Sequence, residues 1–212
     1  MTRPAPPPAP LALGHVPRHA IVFSGHMADA PGRKVPRFPA ALWPAARSAI
    51  DAALDQLAAG PRDVALTQGA AGGDLLFAEA CAARGVPLQF LLPLPEPRFI
   101  EQSVLGCDGA EDWRARFFDL KARLRDAPRV MPIESRAPPG QANVFERCNL
   151  WMLRSALAHG VARLRFICLW DGAADDGPGG TAHLYRAAAQ RTDRITWIDT
   201  RGLAAGAAAG AP

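Results

Sequence analysis

The 212-residue chain lacks several features that would assign it to a familiar class. It has no run of eighteen or more apolar residues, which argues against a membrane span. Its four cysteines form no CxxC pair and follow no secretory signal peptide, so we expect a reducing, cytoplasmic setting without structural zinc. No GxxxxGK[ST] motif occurs, and no GxGxxG follows the first predicted strand. These absences argue against a Walker-type ATPase and a standard nicotinamide dehydrogenase.

The chain also lacks a strongly basic tail. Its 24 Lys+Arg against 20 Asp+Glu leave a formal net charge of +4. This excess permits nucleic acid as a partner without indicating it, and the arginines are scattered among acidic residues. With 49% hydrophobic residues, the length suits one sizeable core and is too short for two ordinary domains.

The two ends differ in composition from the middle. Residues 1–17 are rich in proline, which lacks the backbone N–H that helices and strands use, and we expect an extended, disordered tail. Residues 202–212 are an Ala/Gly stretch with too little apolar volume to bury, and we expect a second disordered tail. The folded domain is therefore predicted to span residues 18–201.

Strand and helix patterns alternate through this domain. Short apolar runs predict strands at 20–24, 64–67, 87–92, 165–170 and 194–199. Apolar residues spaced three and four apart predict helices at 40–58, 74–84, 111–125, 141–159 and within 179–190. The prolines at 93, 95 and 97 predict that no helix starts before Arg98. The alternation predicts the α/β class: a single Rossmann-like, doubly wound domain with a mainly parallel sheet flanked by helices.

Glycine-rich segments follow three of the predicted strands. In doubly wound sheets, ligands bind beyond the carboxyl ends of the strands, at a switch in strand order. Glycine allows close backbone approach, and the amides of a following helix present positive partial charge to an anion. We therefore predict a phosphate cradle formed by Gly25, Gly69, Gly72, Gly73, Gly179, Gly180 and Thr181.

These segments resemble the SLOG superfamily, named after DNA-processing proteins and the LOG phosphoribohydrolases that activate cytokinins. The resemblance covers about residues 20–200. It is carried by Ser24-Gly25-His26, by the turn 69–74 with Phe77-Ala78-Glu79-Ala80 and Arg84-Gly85-Val86-Pro87, and by Pro178-Gly179-Gly180-Thr181. It implies a Rossmann-like fold that binds nucleotides or nucleotide-derived molecules in bacterial sensors, nucleoside-processing enzymes or single-strand DNA binders.

The sequence departs from the LOG enzymes at one position that matters for catalysis. Those enzymes carry PGGxGTxxE, whose glutamate assists cleavage of the N-glycosidic bond. Here Gly180 is followed by Thr181-Ala182-His183-Leu184, with no acidic residue. If hydrolysis occurs, the carboxylate must come from Asp74, Glu79 or Asp171. Each has a structural alternative: a helix cap for Asp74, a salt bridge for Glu79 and a turn for Asp171.

Further ligand contacts are predicted at the same edge. Ser24 and His26 end the first strand, Arg33 lies with Lys34 and Arg37 in a basic loop, and His183 follows the last glycine turn. Trp170 could stack on a base, although a core role is the alternative. Arg147 and Asn149 are additional candidates on the preceding helix. No spacing suits a metal, and no cofactor is predicted.

The sequence thus supports a binding module that senses or processes a nucleotide-derived small molecule. The alternatives are an N-glycosidic hydrolase of a nucleoside monophosphate and a single-stranded DNA-binding protein. Nucleic acid is the less favoured partner because no stacking aromatics line a continuous basic groove. A membrane is not expected as a partner, and a homo-oligomer is left open.

Overall fold

The fold is built on one sheet of six parallel strands. The computed structural model describes residues 13–132, 143–173 and 179–203. The strands lie in the order β4-β3-β2-β1-β5-β6 and are β1 Ala20–Gly25, β2 Val64–Thr67, β3 Leu88–Leu92, β4 Arg129–Val130, β5 Leu164–Trp170 and β6 Ile195–Asp199. The α-helices of these residues include α1 Trp43–Gln56, α2 Gly73–Ala83, α3 Glu96–Ser103, α4 Ala110–Arg123, α5 Val144–Leu157 and α6 Thr181–Ala189.

Helices cover both faces of the sheet, and the side chains of β1 show how. Ile21 and Phe23 point into a core shared with α1, α2, α3 and α4, whereas Ala20 and Val22 point into a second core with α5 and α6. All four side chains are fully buried. A strand that is buried on both faces has a continuous apolar sequence, which is typical of a parallel sheet with crossover helices. The predicted Rossmann-like doubly wound α/β class is confirmed.

Between β3 and β4, one prediction was wrong and one strand was not predicted. The helix α3 begins at Glu96, before Arg98, with Pro97 in its first turn. Proline is tolerated there because the first amides of a helix have no intrahelical partner. The short edge strand β4 was not predicted, because its two residues follow Pro128 and show no alternation. It pairs with Leu91 and Leu92 of β3.

The described residues begin five positions before the predicted domain boundary. Leu13 is buried in the second core, and Arg163 donates a hydrogen bond to the carbonyl of Pro17 at 2.8 Å. Residues 13–17, predicted as tail, therefore contact the domain. Leu203, predicted as part of the second tail, packs against the first core. The remaining tail predictions, for residues 1–12 and 204–212, lie outside the described residues. In the part of the chain that the structure describes, no helix has both the length and the apolar character to span a membrane.

Candidate functional site

A cleft opens where the strand order reverses. The chain winds from β1 outward to β4 and then crosses back to β5, on the other side of β1, so the carboxyl ends of β1 and β5 face a crevice. The cleft has a volume of about 300 Å³, at the lower end for small-molecule sites. Predicted site residues that line it are Ser24, Gly25, His26, Arg33, Asp74, Gly179, Gly180 and Thr181.

The turn between β2 and α2 does not present free amides in the way we predicted. The amides of Gly69 and Ala70 donate to Oδ2 of Asp74 at 3.2 and 3.3 Å. The amide of Ala71 donates to the carbonyl of Ser103 at 2.9 Å. An internal carboxylate thus occupies the place where we expected a ligand phosphate. The predicted phosphate contact at Gly69 is corrected accordingly.

Gly72 and Gly73 bring α2 against the end of β1. A Cβ on Gly72, which has φ of 100°, would lie 2.5 Å from the amide nitrogen of Ala28. The amide of Gly73 donates to the carbonyl of His26 at 2.9 Å, and the Cα of Gly25 is 3.1 Å from where a Cβ of Gly73 would lie. Neither glycine lines the cleft. Their role in this structure is close backbone packing, which positions the loop that begins at His26.

Asp74 is a buried carboxyl group at the base of the cleft. Its exposed fraction is 6%. Burial raises the pKa of Asp74 to about 6, and the hydrogen bonds from nearby backbone amides limit the rise. Near neutral pH both protonation states are therefore accessible. Of the three predicted catalytic carboxylates, Asp74 is the one that lines the cleft.

The start of α6 forms the opposite wall. Gly179 has φ of 89°, and a Cβ there would lie 2.4 Å from Cβ of Phe145, so only glycine fits. Gly180 is the N-cap residue of the helix and, having no side chain, supplies no side-chain cap of its own. The hydroxyl groups of Thr181 and Ser24 lie 3.1 Å apart, joining α6 to the end of β1. The start of α6 thus lies beside two hydroxyl groups at the wall of the cleft.

His26, at the wall of the cleft, forms a polar cluster with Asp171. The amide of Asp171 donates to Nε2 of His26 at 3.1 Å, and Nη2 of Arg37 lies 3.2 Å from Nδ1. Burial, helped by the positive charge of Arg37, lowers the pKa of His26 to about 4, so the ring is neutral at neutral pH. Partial burial opposes ionisation of Asp171, but the Ala173 amide and Arg37 hold its pKa below the usual value. Asp171 does not line the cleft.

A basic loop after β1 borders the cleft. Asp29, buried at 6% exposure, accepts hydrogen bonds from the amides of Arg37 and Phe38 at 3.0 to 3.1 Å and so closes the loop. Arg33 and Arg37 both line the cleft, with side chains 41% and 23% exposed. The loop thus places two guanidinium groups on the side of the cleft formed by residues 26–37.

A chain of side-chain amides was missed in the sequence analysis. Nδ2 of Asn149 donates to the carbonyl of Gly179, and Nε2 of Gln68 donates to Oδ1 of Asn149, both at 2.7 Å. The sequence predicts Asn149 only as an additional candidate for ligand contact and does not predict a role for Gln68. The sequence does contain a signal for Gln68, because it directly follows β2. The same rule selected His26, which directly follows β1. Its contact with Asn149 spans 81 residues and has no local signature.

Besides the residues already described, three further predicted site residues do not line the cleft. Glu79 accepts hydrogen bonds from Arg116 at 2.6 and 2.7 Å and pairs with Arg47, which corresponds to its salt-bridge alternative. Trp170 packs against Tyr185 and Trp197, which corresponds to its core alternative. His183, in the first turn of α6, does not line the cleft. Within residues 13–132, 143–173 and 179–203, no three His, Cys, Asp or Glu side chains cluster as metal ligands do.

Comparison with protein-family models gives no match to this chain, and the search of curated proteins gives no significant match either. The SLOG resemblance therefore stays a prediction. What the function rests on is the geometry of the cleft.

Proposed function

We propose that the protein binds a nucleotide or nucleotide-derived small molecule in the cleft between β1 and β5. The observation that carries the proposal is the start of α6. The first turn of α6, the Thr181 and Ser24 hydroxyls and the guanidinium groups of Arg33 and Arg37 meet at one crevice. Amides of a helix start, hydroxyls and arginines are the groups that hold phosphate in proteins.

The phosphate is assigned to the α6 side of the cleft rather than to the β2 side. At β2, Asp74 already occupies the amides of the glycine turn, and its carboxylate would repel a phosphate. At α6, by contrast, the side chains that form hydrogen bonds near the helix start include those of Thr181, Ser24 and Asn149, and none of these three is charged. The ligand then extends from α6 across β1 toward β2.

Hydrolysis of an N-glycosidic bond is a second candidate function, favoured by Asp74. A carboxyl group with a pKa of about 6 can donate a proton to a leaving base or, when ionised, activate water. It lines the same cleft as the proposed phosphate site. Glu79 is not a candidate for this role, because two arginines hold it outside the cleft.

Thermal unfolding in the presence of nucleoside monophosphates, dinucleotides and cyclic nucleotides tests the proposal. A ligand present at about a hundred times its dissociation constant should stabilise the protein by about 2.7 kcal/mol. Ser24→Ala should weaken the binding at least about tenfold, since it removes a hydrogen bond to a charged group. Ser48→Ala, at an exposed position on α1, is the matched control and should bind as the wild type does.

The same mixtures separate the alternatives. Chromatography of each mixture reveals free base if the protein is a hydrolase, and Asp74→Asn should then abolish the release while a ligand still binds. If no mononucleotide shifts the unfolding temperature but single-stranded DNA binds with steep salt dependence, the proposal is wrong and the DNA-binding alternative replaces it.

A further inference from the structure

We propose that Gln68 recognises a vicinal diol on the ligand, so that the cleft selects ribonucleotides over nucleotides that lack the sugar hydroxyls. This inference rests on the proposed function and adds the chemical class of the sugar. It starts from the amide chain that joins Gln68, Asn149 and Gly179.

The chain fixes which way each amide points. The carbonyl oxygen of Gly179 can only accept, so Asn149 must donate to it through Nδ2. Oδ1 of Asn149 then faces Gln68 as an acceptor, and Gln68 must donate through Nε2. Asn149 is 2% exposed, and both ends of its amide are used, so it holds this orientation firmly. The amide of Gln68 therefore has one orientation consistent with its neighbours.

In that orientation, the side-chain amide of Gln68 keeps one acceptor and one donor for further hydrogen bonds at the cleft. Oε1 of Gln68 accepts no hydrogen bond from any described residue, and Nε2 keeps a second N–H. Gln68 lines the cleft beside Asp74. A carboxamide that offers one acceptor and one donor is complementary to two adjacent hydroxyl groups, one donating and the other accepting. A phosphate offers only acceptors at neutral pH and would leave Oε1 unmatched.

The position of Gln68 suits the sugar of a nucleotide whose phosphate lies at α6. β5 and β2 flank β1, so their ends lie about 10 Å apart. Gln68 is tied to the turn before α6 by two 2.7 Å hydrogen bonds with a single side-chain amide between them. A ribose 5′-phosphate that starts at Gly180 and crosses β1 brings its hydroxyl groups to the Gln68 side.

Calorimetric titration of the four ribonucleoside 5′-monophosphates and their 2′,3′-dideoxy counterparts tests the inference. For at least one base, the wild-type protein should bind the ribonucleotide about tenfold more tightly, the value of one or two neutral hydrogen bonds. Equal affinity for both sugars would overturn the inference and leave the proposed function intact. Binding of neither would overturn the proposed function itself.

Gln68→Met keeps the length of the side chain and removes both amide groups. It should reduce the ribose preference to less than about twofold while the dideoxy nucleotide still binds. A purely structural role in supporting the Gly179 turn would lower both affinities together and keep their ratio, which would contradict diol recognition. Gln56→Leu, at an exposed position on α1, is the control and should keep the wild-type ratio.

Discussion

Replacing Asp74 by asparagine should remove one pH-dependent contribution to the stability of the protein. The carboxamide side chain of this variant keeps an oxygen for the amides of Gly69 and Ala70 but carries no charge to desolvate. In the wild type the folded pKa is about 6 against a reference of 3.8, and this difference corresponds to about 3 kcal/mol. The folded state binds the proton more tightly, so the contribution of Asp74 to wild-type stability falls as pH rises from about 4 to about 7 and is then constant.

Denaturant unfolding of both proteins between about pH 4 and about pH 8 measures this effect. The free energy of unfolding of Asp74→Asn, relative to that of the wild type, should increase with pH and level off above about pH 7, near 3 kcal/mol above its value in acid. His26 titrates in both proteins, so its effect cancels in the difference between their free energies of unfolding. Asp112→Asn, at an exposed position, is the control and should not reproduce the rise. A difference that is flat, or that shrinks with rising pH, would refute the account of Asp74.

Three further substitutions follow from the same contacts. His26→Gln should remove the contribution of His26 to stability, which the wild type loses as pH falls from 6.5 through the folded pKa of about 4; a stability difference between wild type and variant that does not change over this pH range in unfolding curves would contradict this. Glu79→Gln should cost about 1 kcal/mol by weakening the ion pair with Arg116, with unchanged ligand affinity by calorimetry. Gly179→Ala should lower the free energy of unfolding by about 3 kcal/mol, because the new Cβ would be strained by the left-handed backbone and would overlap Phe145. Gly32→Ala, which has a similar φ but open space around it, should lower it by about 1 kcal/mol. Equal losses for the two variants would argue against the Gly179 contact.

Local patterns were sufficient for most of the fold. The apolar runs at β1 and β5 are buried on both faces, and such runs identify a strand without knowledge of its neighbours. The start of α3 was missed because proline was treated as a barrier, although it is compatible with the first turn of a helix. The strand β4 forms by pairing with β3, and two residues carry too little pattern to reveal it.

The candidate site was predicted in its location but not in its bonding. The rule that ligands bind beyond strand ends selected Ser24, Gly25 and Thr181 correctly as residues that line the cleft. It could not tell that Asp74 and the carbonyl of Ser103 occupy the amides after β2, because the Ser103 contact is made across the fold. Glycine therefore marked two different features: close packing at Gly72 and a helix start facing the cleft at Gly180.

A crystal structure with the mononucleotide that gives the largest thermal shift tests the central claim most directly. The account predicts the phosphate within hydrogen-bonding distance of the first amides of α6 and of the Ser24 or Thr181 hydroxyl, with the sugar toward Gln68. A phosphate bound at the β2 turn, or at any surface outside the cleft between β1 and β5, would contradict it.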